Sequence, residues 1–483
     1  MCRPNQMQSS SIAKEQTYLD DSRIKHDEKT KSLIDFLNKV VNEPVESLII
    51  VDMIQRLGVK SLFREQIKAI LRWQYTHFSS LNHGKDDVYE IALRFRLLRQ
   101  EGYHVPAGFP CAFYANVFEY FNDKGKGFVM KLEGNIKGMM ELYEAAQISM
   151  EGEDILDEAG SFSSNCLNAL LTCDLDHEQA RMIESTLQYP YRKSFARLLA
   201  PQSFVNDMPG ANSWMEDSLE VANRKRRIDQ YVHQEEIHQI NNFSSCISYI
   251  SGGGKELGLG EKMEFARDQP LKWHMWSMAI LTDPSLSELR VELIKPISLV
   301  YIIDDIFDVH GTVDELILFT EVIKRWDNVC AEQLPEYMKI CFKVLNDIAN
   351  DFGKIIFEKH GWNPTRFLKQ MWANLCNAFL VEFQWNASGK LPKADDYLKN
   401  AIITSGVPLV LTHLFFLMGQ NIANQSMDSK KEEVQLPNII FLVAEILRLW
   451  DDLGCAQDEN QNGYDGSYVE CYLRENEGSS YQM

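Results

Sequence analysis

A chain of 483 residues, 45% of them hydrophobic, is long enough for two large domains with cores of their own. The formal charge of -20 argues against nucleic acid as a partner, because phosphate backbones are held by basic faces. It also repels any anionic ligand overall, so an anion would need local cations, from side chains or from metal, to reverse the field.

Residues 1–28 read as a disordered tail without an apolar signal core, and no run approaches the roughly 18 apolar residues of a membrane span. Ser9, Ser10 and Ser11 hint at a transit peptide, but Asp20, Asp21, Asp27 and Glu28 follow closely, so the cytosol is expected and a plastid is the alternative. The ten cysteines are scattered without a CxxC pair and read as reduced thiols. The sequons at Asn242, Asn386 and Asn424 are accordingly expected to stay unmodified.

Residues 29–222 have helical periodicity, as in Leu33, Phe36, Leu37 and Val40, then Val51, Ile54 and Leu57. Breaks at Asn82-His83-Gly84, Pro106-Ala107-Gly108 and Lys124-Gly125-Lys126-Gly127 divide the segment into short helices, which fit an all-α domain of stacked antiparallel pairs. A second domain, 223–483, begins at the basic run Asn223-Arg224-Lys225-Arg226-Arg227, read as a solvated helix start or a source of interdomain salt bridges. In Val232–His238 the pair Glu235/His238 imitates half of a di-iron ExxH site. No second pair stands out, so a surface helix is expected. Ser251-Gly252-Gly253-Gly254-Lys255 fails the spacing of a phosphate loop and reads as a flexible connection.

The chemistry-bearing stretch is Ile297–Asp308, where Asp304, Asp305 and Asp308 interrupt an apolar helical run. Residues four apart lie about 40° apart around a helix and about 6 Å along it, so Asp304 and Asp308 share a face. Unpaired buried anions cost several kcal/mol each, so arginine, lysine or metal must lie near. Oxygen-only ligands favour Mg²⁺ or Mn²⁺, whose shells are completed by water and substrate phosphates, and the segment reads as a diphosphate-handling helix. Thr404-Ser405-Gly406 lies in an apolar helix from about 394 to 419, where Pro408 is expected to make a kink and turn hydroxyls and carbonyls inward. A second acidic helix carries Asp451, Cys455 and Glu459 on one stripe, with Arg448 one turn earlier able to offer its fork to a phosphate.

The ordered set RDQPLKW at 267–273, DDIFD at 304–308 and DDLGCAQDE at 451–459, with VESLIIVDMIQRLGV at 45–59 and NGYDGSYVECYLREN at 462–476, resembles the plant terpene synthases of the ionisation-initiated class over nearly the whole chain. The resemblance implies an N-terminal α-barrel without chemistry of its own and a C-terminal helical bundle. There, Asp304, Asp308, Asp451, Cys455 and Glu459 stand at the metal positions. Arg267 stands at the first arginine of an RxR element that holds the departing diphosphate, Gln269 replaces the second, and Lys272 is close by to compensate. Trp276 stands where the family places an aromatic at the pocket floor, and Arg448, Asp304, Thr404 and Ser405 face substrate. Cys455 departs from the family's Ser or Thr, and a thiol is a poor ligand for a hard cation. Asp174-Leu175-Asp176-His177 lacks the last aspartate of the protonation motif DxDD. No tandem-arginine and tryptophan element precedes Trp73, which in this family is typical of acyclic terpene alcohol synthases. The resemblance thus implies ionisation of geranyl or farnesyl diphosphate with Mg²⁺ and capture of the cation by water, giving linalool or nerolidol, by a monomer or weak homodimer. The chain stops 24 residues after Glu459, where the family continues through further helices and a closing loop. A truncated chain is therefore expected, with a catalytically impaired homologue that binds metal, prenyl diphosphate or a partner as the competing reading. A chain-elongating prenyltransferase would carry a second DDxxD.

Overall fold

The computed structural model describes residues 27–77, 88–107, 135–173, 175–193, 213–252, 267, 269–419, 436–459 and 467–476; the side chains at 213, 242–252 and 455–459 lie outside that description. The described residues are helical throughout, with no strand among them. They fall into two compact units that divide between Tyr231 and Val232.

The first unit holds α1 (Glu28–Lys39), α2 (Glu46–Arg56), α3 (Arg64–His77), α4 (Val88–Gln100), α5 (Ile136–Ala146), α6 (Asp154–Leu171), α7 (His177–Gln188) and the first half of α8 (Ser213–Gly252). The apolar positions of the helical pattern face inward: Leu33, Leu37, Val51 and Ile54 are buried, as are Val40 and Leu57, while Phe36 is partly buried. Asp176 caps α7 by accepting from the Gln179 N–H at 2.7 Å, so this aspartate of the incomplete DxDD string terminates a helix. Arg96, fully buried, is held by Asp52 at 2.7 Å and by Glu141, and Arg56 adds a bond to Asp52 at 2.9 Å. Of the basic run, Lys225 is buried against Asp229 and Arg224 pairs with Asp27 and Glu220. The expected breaks at 82–84 and 124–127 lie outside the described residues, as do residues 253–255 of the connection expected at 251–255, whose first two residues belong to α8.

The second unit continues with α9 (Pro270–Ile280), α10 (Ser287–Asp305), α11 (Val313–Arg325), the short α12 (Asn328–Ala331), α13 (Glu336–His360), α14 (Thr365–Ser388), α15 (Ala394–Thr404), α16 (Val407–Leu417), α17 (Asn438–Glu459) and α18 (Tyr468–Glu475). A capping box starts α11: Thr312 and Glu315 satisfy each other's backbone N–H groups, with Thr312 N donating to Glu315 Oε2 at 3.0 Å. In α16 the side chains of Leu409, Val410, Leu414, Phe416 and Leu417 are buried, each worth about 1.5–3 kcal/mol of apolar transfer. Its hydropathy is therefore that of a core helix, and among the described residues no single helix is long and apolar enough to cross a membrane.

The segment Val232–His238 is the expected surface helix at its ExxH pair, but its other face is buried. Glu235 and His238 of the ExxH string stay partly or fully exposed, but Glu236 between them is completely buried. It accepts from His274 Nε2 at 2.7 Å and from Arg290 Nη2 at 2.6 Å. Arg290 in turn donates to the carbonyls of Leu281 and Asp283 at 2.8 and 2.6 Å. One carboxylate thus ties α8 to α9, through His274, and to the start of α10, which leads to the DDIFD segment. Burial works to raise the Glu236 pKa, but the hydrogen bonds from His274 and Arg290 outweigh it and hold the carboxyl down at about 2.

The depressed pKa makes this contact stabilising above the unfolded carboxyl pKa, with the contribution lost as pH falls through about 4.5 toward 2. Glu236→Gln leaves Arg290 without its buried counter-charge and is expected to cost about 3–5 kcal/mol at pH 7. Urea unfolding curves at pH 7 and pH 3 check this: the deficit should shrink at the lower pH, and equal midpoints at pH 7 would show that the network is dispensable.

Candidate active site

The acidic run forms because Leu299, Ile302, Ile303, Ile306 and Phe307 bury one side of α10 and its continuation in the unit's core. The α-helix ends at Asp305, and Ile306–His310 continue as one π-helical turn, closed by the Gly311 N–H to the Ile306 carbonyl at 2.8 Å. The four-residue spacing of DDIFD was expected to lie on an uninterrupted α-helix. The wider turn instead re-aims Asp308 relative to Asp304, a device common at functional sites.

Asp305 is buried and accepts the Arg267 backbone N–H at 2.7 Å, while Arg267 Nε lies 2.6 Å from its other oxygen. The same guanidinium reaches Asp304. Arg267 Cζ also sits 5.2 Å above the Tyr301 ring, and Lys272 Nζ lies over that ring at 5.2 Å. The Tyr301 hydroxyl accepts from the Trp276 indole at 3.0 Å. Arg267, Lys272 and Trp276 of the RDQPLKW stretch and its neighbourhood therefore gather around a tyrosine one turn before Asp304. Gln269 is exposed next to the start of α9, and Asp268 lies outside the described residues.

Burial raises the Asp304 carboxyl above its usual range, against the pull of Arg267. Asp308 keeps contact with solvent, yet the protein around it, and then the Asp304 charge, push its carboxyl up to about 6. A further carboxylate, Glu382 of α14, joins them: burial pushes it up to about 7, against the bond from Thr404 Oγ1 at 2.9 Å and the field of Arg448, while Asp308 and Asp304 add to the rise. Nothing in the periodicity of α14 singled Glu382 out. Its one sequence signal is an acidic residue in an apolar stretch, LVEFQW at 380–385.

On α17, Arg448 donates from Nε to Asp452 Oδ1 at 2.6 Å, and its Nη2 lies 3.2 Å from Asp451. Asp452, fully buried, also accepts from the Tyr397 hydroxyl at 3.2 Å and the Tyr468 N–H at 2.9 Å, which fastens α15 and α18 to α17. Asp451 remains exposed. The fork of Arg448, expected to be offered to a phosphate, is thus largely engaged by Asp452, but its charge also stabilises the ionised forms of Asp304 and Glu382. That common neighbour brings the first and second acidic segments into one electrostatic neighbourhood. The side chains of Cys455 and Glu459 lie outside the described residues.

The break near Pro408 has a different cause from the one expected. Helices α15 and α16 meet at 43° at Ser405-Gly406, where Gly406 has φ 70°, and Pro408 sits harmlessly in the first turn of α16. Thr404 points to Glu382, whereas the Ser405 hydroxyl donates to the Ile402 carbonyl at 2.7 Å. A Cβ on Gly406 would lie 2.6 Å from Val300 Cγ1, so the glycine lets α10 approach the break directly.

Among the described residues no three His, Cys, Asp or Glu side chains are gathered closely enough to hold an ion by themselves. The donor chemistry nevertheless fits a hard divalent cation. Asp304, Asp308, Glu382 and Asp451 present only oxygens, and burial first, then the neighbouring carboxylates, raise the carboxyls of Asp308 and Glu382, a cost that a bound cation would offset. Such an ion would need water or ligand oxygens to complete its shell.

An all-helical unit that presents carboxylates on separate helices, with guanidinium groups between them, has the layout of an enzyme that handles diphosphates through divalent metal. Comparison with known proteins makes this specific. The profile "Terpene synthase, N-terminal domain" matches residues 2–187, and "Terpene synthase family, metal binding domain" matches residues 255–482. The chain is 42% identical over 463 residues to the chloroplastic S-(+)-linalool synthase of Arabidopsis thaliana, covering 94% of this chain and 76% of that one. It is 42% identical over 442 residues to an (E)-nerolidol synthase of Cannabis sativa, covering 90% and 76%. Its fold matches the isoprene synthase of grey poplar, in the crystal structure with three Mg²⁺ ions and dimethylallyl-S-thiolodiphosphate, with a TM-score of 0.78 at 30% identity, over 93% of this chain and 83% of that one. The chain belongs to the terpene synthase family. It is an enzyme of the class that acts on prenyl diphosphates and depends on divalent metal.

Gly406→Ala must accept both a left-handed backbone and an overpacked contact with Val300, and is expected to lose about 2–4 kcal/mol. Chemical denaturation of G406A, V300A and the double variant checks it. Partial recovery in the double variant is the expected sign of the direct contact, and strict additivity would place the strain elsewhere.

Proposed function

We propose that the protein ionises geranyl or farnesyl diphosphate in the presence of Mg²⁺ and lets water capture the allylic cation at its tertiary carbon, releasing linalool or nerolidol. The observation that carries the reading is Arg448: its guanidinium lies 3.2 Å from Asp451 and its field reaches both Asp304 and Glu382, which supports one diphosphate position shared by the two acidic segments. Asp304, Asp308, Glu382 and Asp451 are the residues that would hold Mg²⁺, joined by the metal positions that the family resemblance gives to Cys455 and Glu459, with Mn²⁺ as a substitute. When bound, the metal supplies Lewis-acid stabilisation of the leaving diphosphate.

The chain's own side chains do the rest. Arg267 and Lys272, held over Tyr301, place positive charge beside Asp304, where the leaving group gathers negative charge. The aromatic face of Trp276 stabilises the cation left behind by roughly 1–2 kcal/mol. Thr404 donates to Glu382 and fixes that carboxylate, while the proton that the capturing water sheds can pass to the departed diphosphate. The similarity to linalool and nerolidol synthases supports an acyclic alcohol as the product. The chloroplast assignment in the linalool synthase's name supports a plastid, the alternative to the cytosol.

Incubation of the purified protein with Mg²⁺ and geranyl, farnesyl or geranylgeranyl diphosphate, with identification of the volatile products, tests the reading. Linalool or nerolidol is expected, and Asp304→Asn with Asp308→Asn should lower turnover by at least about 10²-fold. Cyclic hydrocarbons as sole products, or a longer prenyl diphosphate, would overturn it. A pH series adds a second check. Because Glu382 and Asp308 must shed protons to meet a cation, the Mg²⁺ concentration for half-maximal turnover should climb as pH falls from about 7 through about 6. Glu382→Gln should flatten the upper part of that rise, and an unchanged curve would remove Glu382 from the metal's reach.

A further inference from the structure

The acidic face has an opposite in the same unit. At the end of α11 and the start of α14 lies a cavity of about 580 Å³ whose lining includes Lys324, Arg325, Arg366 and Lys369, the indole of Trp326 and Thr365, and no carboxylate. In a chain of charge -20, four cations around one cavity are not an average piece of surface. Arg366 and Glu382 are on the same helix, 16 residues apart, which puts the cavity about 24 Å along α14 from the acidic cluster.

Its wall is built rather than incidental. Helix α11 stops at Trp326, which has φ 52° and ψ 40°, the only positive φ outside glycine among the described residues. That left-handed turn brings the indole against α14, where Nε1 donates to the Lys369 carbonyl at 3.2 Å and the Lys369 ammonium lies 4.6 Å above the ring. Among the described residues the partners of that half-buried ammonium are neutral: the Trp326 face and Asn346 Oδ1 at 2.9 Å. Burial disfavours its charged form, a cost that an anion in the cavity would remove. Glu321 partly compensates the exposed Lys324 and Arg325 at 3.3 and 3.4 Å, so Lys369, with its neutral partners, is the cation on which the site turns. The positive end of the 24-residue α14 opens beside the cavity and adds to the field.

We propose that this basic cavity is a second anion site that holds a compact multivalent phosphate, such as inorganic diphosphate, without divalent metal. The contrast with the acidic face gives the proposal its test, since there a diphosphate can be held only through cations. Titration calorimetry of the full chain with inorganic diphosphate in excess EDTA is expected to show saturable binding that weakens as NaCl is raised. Lys369→Met, which keeps the apolar stem on Trp326, and the exposed Arg366→Gln should each weaken it at least tenfold. Both variants should keep the wild-type thermal transition and Mg²⁺-dependent turnover. A parallel titration with glycerol 3-phosphate distinguishes free diphosphate from an organic phosphate as the occupant, and binding of either supports the site. No saturable heat up to about 1 mM of both ligands would overturn the proposal. So would metal-free binding that survives K369M and R366Q but disappears in Arg267→Ala and Arg448→Ala, which would move the anion to the acidic face.

Discussion

Negative charge without enough positive charge beside it is the condition around which the second unit is arranged. Asp304, Asp305, Asp308, Glu382, Asp451 and Asp452 share a neighbourhood with the guanidinium groups of Arg267 and Arg448. Arg267 bridges Asp304 and the buried Asp305, and Arg448 bridges Asp451 and the buried Asp452. Asp305 and Asp452 serve as fasteners, which leaves Asp304, Asp308, Glu382 and Asp451 as the carboxylates that can face a ligand. Within this charge imbalance burial first, and the neighbouring carboxylates second, raise the carboxyls of Asp308 and Glu382. A terpene synthase is suited to it, because a divalent ion and a diphosphate arriving together restore neutrality.

The backbone meets this condition with local departures from regular helix. The π turn after Asp305 re-aims Asp308, and the left-handed Gly406 lets α10 lie against the junction of α15 and α16 while Thr404 reaches Glu382. Behind them the buried Glu236 secures α8, α9 and the start of α10 with one carboxylate, so the acidic segment projects from a braced base. Trp326 is a third departure, and it shapes the basic cavity at the far end of α14. At the π turn and at Trp326 a sparsely populated conformation sits where a charged side chain has to be aimed, whereas at Gly406 the missing Cβ lets the left-handed turn form without that cost.

Much of this was legible in the sequence. Helical periodicity set the fold class, because a 3.6-residue apolar repeat needs no tertiary information to be recognised. The two acidic segments stood out because carboxylates inside apolar runs are costly unless they are used, and their order along the chain carried the family resemblance. Less legible were the residues whose meaning depends on a partner far away in sequence. Glu382 is a lone acidic residue until α15 brings Thr404 beside it and α17 brings Arg448. Glu236 was hidden by the more conspicuous Glu235/His238 spacing, and Tyr301 by being one aromatic in an apolar helix.

The sequence by itself determined that the chain is all-helical, that it belongs to the terpene synthases and that Asp304, Asp308 and Asp451 lie on acidic helices, since periodicity and motif order are one-dimensional properties. Only the tertiary structure decided which aspartates are spent as fasteners, that Gly406 rather than Pro408 breaks the helix, and that Arg448 binds Asp452 while still acting on Asp304 and Glu382. The physical reason is that charge compensation depends on distance in space and on burial, and neither can be read until the helices that carry the charges have packed.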